Sequence, residues 1–199
     1  EEAVPEYGIL APWSAGHVLK YVSRRPVVQD NFGDDAGLEG FEAAHRYFRA
    51  NSEEGALAAM EGMRVRYVVV RASENQNRRD RFPRAMQTRL EKYRGSERWM
   101  VVKGTHQDPM HFPALEHHRL IFESPALWPR SGQEEPLYQV FEIVTGARVE
   151  GAANPGDPVV ARLKVETRDG NAFEYVNRVR ADAEGRWQMR LPYSNEPFS

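Results

Sequence analysis

Cysteine is absent from all 199 residues, so no disulfide framework staples this chain. The lack fits a compartment outside the cytoplasm and a cytosolic one about equally well, and it locates the protein in neither. Long apolar runs are missing too: nothing approaches the ~18 to 20 residues needed to cross a bilayer. Nor does a basic start, apolar middle and small-residue cleavage site mark a signal peptide. Charge of one sign is lacking, since 27 Lys and Arg stand against 29 Asp and Glu, which removes any general case for binding nucleic acid. Nothing matches a nucleophile elbow, a phosphate loop or a dinucleotide fingerprint, so those chemistries are set aside. What remains is a chain of globular composition, 41% hydrophobic, able to bury one substantial core or two small ones.

The most informative stretch is Tyr7 to Gly33. Gly8-Ile9-Leu10-Ala11 is a short apolar run of the buried-strand type, and Pro12 stops it by withholding a backbone donor. Ser14 is placed to cap a helix whose Val18, Leu19 and Val22 fall on one face. The predicted strand-to-helix turn displays Trp13, Ser14, Gly16 and His17 beyond the carboxyl end of a strand, where α/β proteins often bind ligands. Each side chain also has a plain structural use: Trp13 as a core aromatic, Ser14 as a cap, His17 as a first-turn surface residue. Arg24-Arg25-Pro26 ends the helix, and Val27-Val28 makes a second short strand. Asp30, Asp34 and Asp35 lie in a turn-rich loop without the alternate spacing of an EF-hand, so a solvated loop is weighed against a Ca²⁺ site.

This segment resembles the region around the Trp-Trp-Asp-Tyr-Gly signature of the oligosaccharyltransferase catalytic subunit family. Ile9-Leu10-Ala11 leads in, Pro12-Trp13-Ser14-Ala15-Gly16 stands at the signature, and Arg25-Pro26-Val27-Val28 and Asp30-Asn31-Phe32 follow. Phe41 to Arg49, Ser52 to Met63 and Val65 to Val70 keep the family's order, so the likeness covers roughly the first seventy residues well. Of the five signature positions Trp13 and Gly16 agree, while Pro12 replaces a Trp, Ser14 the Asp and Ala15 the Tyr. The resemblance implies a divergent bacterial or archaeal member of a membrane enzyme that transfers a lipid-linked oligosaccharide to protein asparagine. It implies that Trp13, Ser14, Gly16 and His17 line an acceptor site. In the family this group holds the acceptor hydroxyl two residues past the asparagine, and Ser14 offers a weaker, neutral bond than a carboxylate does. The implied partners are the chain's own transmembrane domain, an acceptor polypeptide and the lipid-linked donor, at the periplasmic or extracellular face. Catalytic carboxylates and a divalent metal, Mg or Mn, are expected in the absent membrane part, with no cofactor in this portion.

Further along, Phe41, Ala44 and Phe48 share a face of a helix running to about Arg49. Ser52 caps another, with Glu53 and Glu54 in its first turn and Ala56, Leu57, Met60 and Met63 as its stripe. Val65 to Val70 is the clearest strand, covered on both sides. Arg71 to Arg94 is strongly basic, through Arg71, Arg78, Arg79, Arg81, Arg84, Arg89, Lys92 and Arg94 against Glu74, Asp80 and Glu91. It is read as a solvated helix from about Pro83, or as a contact for anionic lipid headgroups or a pyrophosphate. His106, His111, His117 and His118 near Asp108 and Glu116 form the best metal candidate, although spacings of five and six are wrong for one helix face.

Ser124 to Glu135 reads as a linker. Tyr138 to Val144, Val159 to Thr167, Ala172 to Val179 and Trp187 to Leu191 are strand-like, with Asp169-Gly170 and Glu184-Gly185 as turns. The expected architecture is therefore α+β: a mixed α/β domain over 1–125, a linker over 126–135 and a small Ig-like or transthyretin-like β-sandwich over 136–199. Tyr175, Trp187 and Tyr193 are either a sugar platform or core. Two other functions stay open: an extracytoplasmic carbohydrate- or lipid-headgroup-binding module, and a metal-dependent hydrolase built on the histidine segment.

Overall fold

The structure, a computed structural model, describes residues 6–31, 37–72, 82, 84–100, 110–130 and 133–193. The fold is α+β and divides into two units, Glu1–Lys92 with Leu120–Ile143, and Tyr93–Arg119 with Val144–Ser199. That division replaces the expected boundaries at 125 and 136. The supposed linker forms two paired strands, β6 (Leu127–Arg130) and β7 (Gln133–Pro136), and the strand after it, β8 (Tyr138–Ile143), joins the sheet of the first unit. Its Gln139, Phe141 and Glu142 are buried, and such burial binds a segment to a sheet more strongly than composition separates it.

That sheet has the order β1-β2-β8-β5, from β1 (Gly8–Leu10), β2 (Val65–Arg71), β8 and β5 (His118–Glu123). β1 and β2 run parallel with Leu10 opposite Val68, and β2 pairs antiparallel with β8. The second strand expected at Val27-Val28 shrinks to a single parallel bridge, in which Ile9 N–H donates to Pro26 at 2.9 Å and Val28 N–H to Ile9 at 3.0 Å. Ile9, Ala11 and Val69 then pack with Leu19, Val27, Tyr67, Tyr138 and Val140.

The helices are α1 (Gly16–Ser23), α2 (Gly37–Arg49), α3 (Glu53–Ala59) and α4 (Met86–Glu91). Ser52 caps α3 as its sequence requires, with Gly55 N–H donating to its hydroxyl at 3.1 Å. Other expectations are corrected. Only Leu19 of the supposed α1 stripe turns inward; Val18 and Val22, one turn apart on the outer side, are exposed. α2 buries Ala43, Ala44 and Tyr47 instead of Phe41 and Phe48, because Gly40 lets it ride against the backbone at Val28, whose oxygen lies 2.2 Å from where a Cβ would stand. α4 is no solvated helix: Met86, Thr88, Leu90 and Glu91 are buried, and burial lowers the Arg89 pKa. Pro83 and most of the basic run before it lie outside the described residues.

The second unit holds β3 (Arg98–Met100) with β4 (Met110–Phe112), β9 (Ala147–Ala152) with β12 (Arg186–Leu191), and β10 (Pro158–Glu166) with β11 (Ala172–Arg180). Along β10 the alternate residues Val159, Ala161, Leu163 and Val165 face a cluster centred on Tyr175, Met189 and Leu191, as their period of two predicts. Among the described residues these are two-stranded ribbons, shorter in strand count than an Ig-like sheet. The three aromatics of the imagined sugar platform belong to this interior: Tyr175 is fully buried and donates to the Leu115 carbonyl at 3.0 Å, while Trp187 and Tyr193 pack on the same cluster.

Candidate functional site

The strand-to-helix corner forms without the serine cap anticipated for it. Trp13–Ala15 make a 3₁₀ turn closed by Ala15 N–H to Pro12 at 2.9 Å, and neither that turn nor α1 receives a side-chain cap. Ser14 is exposed rather than bound to the backbone near His17, because the extra 3₁₀ turn delays the helix to Gly16. The corner is held from beneath. Gln29, buried, donates its amide to the Ala11 carbonyl at 2.9 Å, and Asp30, also buried, lies 4.0 Å from Lys20. Gly16 is pressed onto this support: a Cβ there would meet the Gln29 oxygen at 2.1 Å and Asp30 Cα at 2.8 Å. Asp30 is thus a support of the corner and not a loop ligand; Asp34 and Asp35 lie outside the described residues.

Held this way, Trp13 stays 51% exposed and lines a groove of about 200 Å³. The parallel strands β1 and β2 both end there, supplying Pro12, Val70 and Arg71. One face of α2 closes it with Phe41, His45, Phe48 and Arg49, and Gln29 and Gln87 complete the lining. Among the described lining residues none is a carboxylate. A second hollow of similar size adjoins it, lined by Phe48, Arg49, Asn51, Phe82, Ala85, Gln87 and Thr88, so Phe48, Arg49 and Gln87 form a ridge between the two. The Arg49 guanidinium lies over the Phe82 ring at 5.0 Å.

Of the four residues singled out from sequence, Trp13 lines the groove. Gly16 supports the corner from within, and Ser14 and His17 sit beside the groove without lining it. The α2 contributors were missed because Phe41 and Phe48 carry the spacing of a core stripe, and nothing in their own residue types separates a groove wall from a core. The signal lay in their neighbours: Gly40, Ala43 and Ala44 are the small residues that let the other face of α2 approach the rest of the unit.

The histidine segment is used by the fold. His111 lies 2.8 Å from Glu97, which also binds Arg178; His117 meets the Val144 carbonyl at 3.0 Å; His118 is fully buried. Among the described residues no three His, Cys, Asp or Glu gather as metal ligands, and His106 and Asp108 lie outside them. No described helix is long and apolar enough to cross a membrane.

A family model described as the AglB core domain matches residues 1–74, and one for the archaeal glycosylation protein B long peripheral domain matches residues 146–198. The dolichyl-phosphooligosaccharide-protein glycotransferase 2 of Archaeoglobus fulgidus is 38% identical over 65 residues, covering 33% of this chain and 10% of that protein. The dolichyl-monophosphooligosaccharide–protein glycotransferase AglB of Haloferax volcanii is 32% identical over 110 residues, covering 43% of this chain and 10% of its own length. Among solved structures, an Archaeoglobus fulgidus oligosaccharyltransferase in complex with Zn and sulfate superposes with a TM-score of 0.64 at 17% identity, over 97% of this chain and 36% of that one. The same organism's AglB, in complex with an inhibitory peptide and a dolichol-phosphate, gives 0.63 at 19% identity, over 97% and 33%. The matched stretch is thus about a tenth of the curated relatives.

Proposed function

This chain belongs to the oligosaccharyltransferase family, and on that premise we propose that it is the extracytoplasmic C-terminal region of such an enzyme, where it helps to recognise the acceptor polypeptide. The observation that carries this reading is the open groove beside Trp13, at the carboxyl ends of two parallel strands, the position where sheets of this kind offer ligands a crevice. An indole half out of water is a rigid anchor for a peptide backbone or side chain, since it contributes large contact area at little entropic cost. In this reading the donor is a lipid-linked oligosaccharide, the kind of molecule represented by the dolichol-phosphate bound in the neighbouring structure. The bond-making carboxylates and a divalent metal, Mg or Mn, belong to the enzyme's own transmembrane part, at the periplasmic or extracellular face.

Ser14, exposed at the corner, and His17, in the first turn of α1, stand close enough in sequence to Trp13 to meet a bound segment beyond the groove. Titration of the chain with an acceptor peptide containing Asn-x-Thr, followed by tryptophan fluorescence or calorimetry, tests the reading. Trp13→Ala is expected to weaken binding about tenfold or more, in line with removal of an aromatic anchor. Trp187→Ala, which alters the interior of the other unit, is expected to leave affinity unchanged in protein that remains folded. Equal affinity of the wild type and Trp13→Ala would remove Trp13 from acceptor recognition.

A further inference from the structure

The end of the first sheet away from the groove holds two strained arginines. Among the described residues, Arg24 at φ 52° and Arg64 at φ 49° are the only non-glycine residues in the left-handed region. That conformation is unfavourable for a residue with a Cβ, and glycine or asparagine adopts it at lower cost. Topology puts both arginines at one end. β1 runs parallel to β2 on one edge, where Gly8 N–H donates to the Arg64 carbonyl at 3.0 Å, and bridges in parallel to Val27 on the other. Arg24 and Arg64 thus stand just before the two segments that flank β1, both exposed and neither bonded to a carboxylate among the described residues. A cation at the end of α1 also suits the helix dipole, but Lys20 already fills that last turn, and Arg64 follows no helix directly.

α1 joins this basic end to an apolar side. Val18, Tyr21 and Val22 share one face and are 51%, 86% and 73% exposed. Residues 7–29 and 62–73 contain no Asp or Glu, so no carboxylate of their own opposes Lys20, Arg24, Arg25, Arg64 and Arg66. Lys20 and Arg66 are engaged with the buried Asp30 and Glu142, and Arg25 lies over the Tyr7 ring at 4.4 Å; the outward charge is that of Arg24 and Arg64. The carboxylates nearest in sequence, Glu6 and Glu61, are exposed outside these two segments. An apolar stripe that ends in cations matches an anionic bilayer, where tyrosine and aliphatic side chains enter the interface and guanidinium groups meet phosphates. We propose that this side of α1, with Arg24 and Arg64, rests on an anionic lipid surface. A helix of eight residues is about 12 Å long, so lying flat it also keeps the Trp13 corner near that surface. None of these residues lines the groove, and the proposal stands apart from acceptor recognition.

Co-sedimentation of the full chain with vesicles tests it, comparing equal parts of phosphatidylglycerol and phosphatidylcholine with phosphatidylcholine alone. Binding is expected on the mixed vesicles, about tenfold weaker on the neutral ones, and weaker everywhere as salt rises. Val18→Gln/Tyr21→Gln/Val22→Gln should reduce binding to the mixed vesicles about tenfold or more. Arg24→Gly/Arg64→Gly should reduce it about fivefold per arginine while the urea midpoint holds or rises, because glycine relieves both left-handed positions. Arg24→Asn/Arg64→Asn, with the other residue type that tolerates this region, should do the same. Arginines kept for the fold alone would give the reverse, a lower midpoint with binding unchanged, and that result overturns the proposal. So do equal binding to both kinds of vesicle, binding that survives the α1 and arginine variants alike, and no binding to either. Sedimentation velocity without lipid covers the remaining occupant: self-association abolished by Tyr21→Gln would assign the face to a second copy of the chain and also overturn the proposal. The acceptor-peptide titration contains no lipid and is judged separately.

Discussion

Gly16 is the residue on which the corner is built. Its backbone is ordinary helix, so the requirement for glycine comes from space and not from conformation: any Cβ runs into the Gln29 carbonyl and Asp30. Gly16→Ala is therefore expected to cost about 1–3 kcal/mol, read as a lower urea midpoint, and to weaken acceptor-peptide binding by tilting Trp13. A second residue-scale expectation concerns Asp182, in the turn from β11 to β12. Its carboxylate accepts the Arg186 N–H at 2.7 Å and the Glu184 N–H at 3.0 Å. The Arg186 backbone bond first, then the Arg186 charge, holds its pKa below the usual carboxylate value. A depressed folded-state pKa means that the contribution is present above the unfolded value, about 3.9, and is lost as pH falls through the lower folded one. Carboxyl-carbon NMR should find Asp182 titrating below the other exposed aspartates, and amide exchange at Glu184 and Arg186 should quicken only under that acid limb. An ordinary midpoint would contradict the bonding seen.

At the scale of elements, α2 has two apolar faces with different duties. Gly40, Ala43, Ala44 and Tyr47 form the buried one, and Phe41, His45, Phe48 and Arg49 form the groove wall. Ala44→Leu should overpack the first and cost about 1–3 kcal/mol in a urea titration. Phe41→Ala, at a side chain 48% exposed, should cost under about 1 kcal/mol and show itself in peptide affinity instead. If both changes destabilised alike, the assignment of faces would be wrong. β10 shows the opposite case, where a period-two pattern read from sequence matches the observed burial residue for residue. The difference is physical: one face of a lone ribbon has a single way to be buried, whereas a helix with apolar residues around most of its circumference has several.

For the molecule as a whole, the expectation is that this chain, purified and given lipid-linked oligosaccharide, acceptor peptide and Mg²⁺ or Mn²⁺, transfers no sugar. The reason is the proposed division of labour, with bond-making groups in membrane segments and acceptor contacts here. Turnover measured by glycopeptide mass would contradict it. The paired-unit organisation also bears on stability measurements: two units with separate cores have no obligation to unfold in one transition, so midpoints should be followed with a probe in each.

The sequence alone determined the local decisions: the Ser52 cap, the valines of β2, the alternation along β10 and the turn at Asp169-Gly170. It also disclosed the family, through Trp13, Gly16 and the residues that follow them. These are set by propensity, capping and period, which act between near neighbours along the chain. Tertiary structure decided the rest. It drew β8 into the first sheet, turned Phe41 and Phe48 outward while Ala44 went in, sank Asp30 under α1 and brought Arg49 and Arg71 to the same groove as Trp13. Each of those outcomes depends on which of several apolar surfaces finds the closest-fitting partner, and that is a property of residues far apart in the chain.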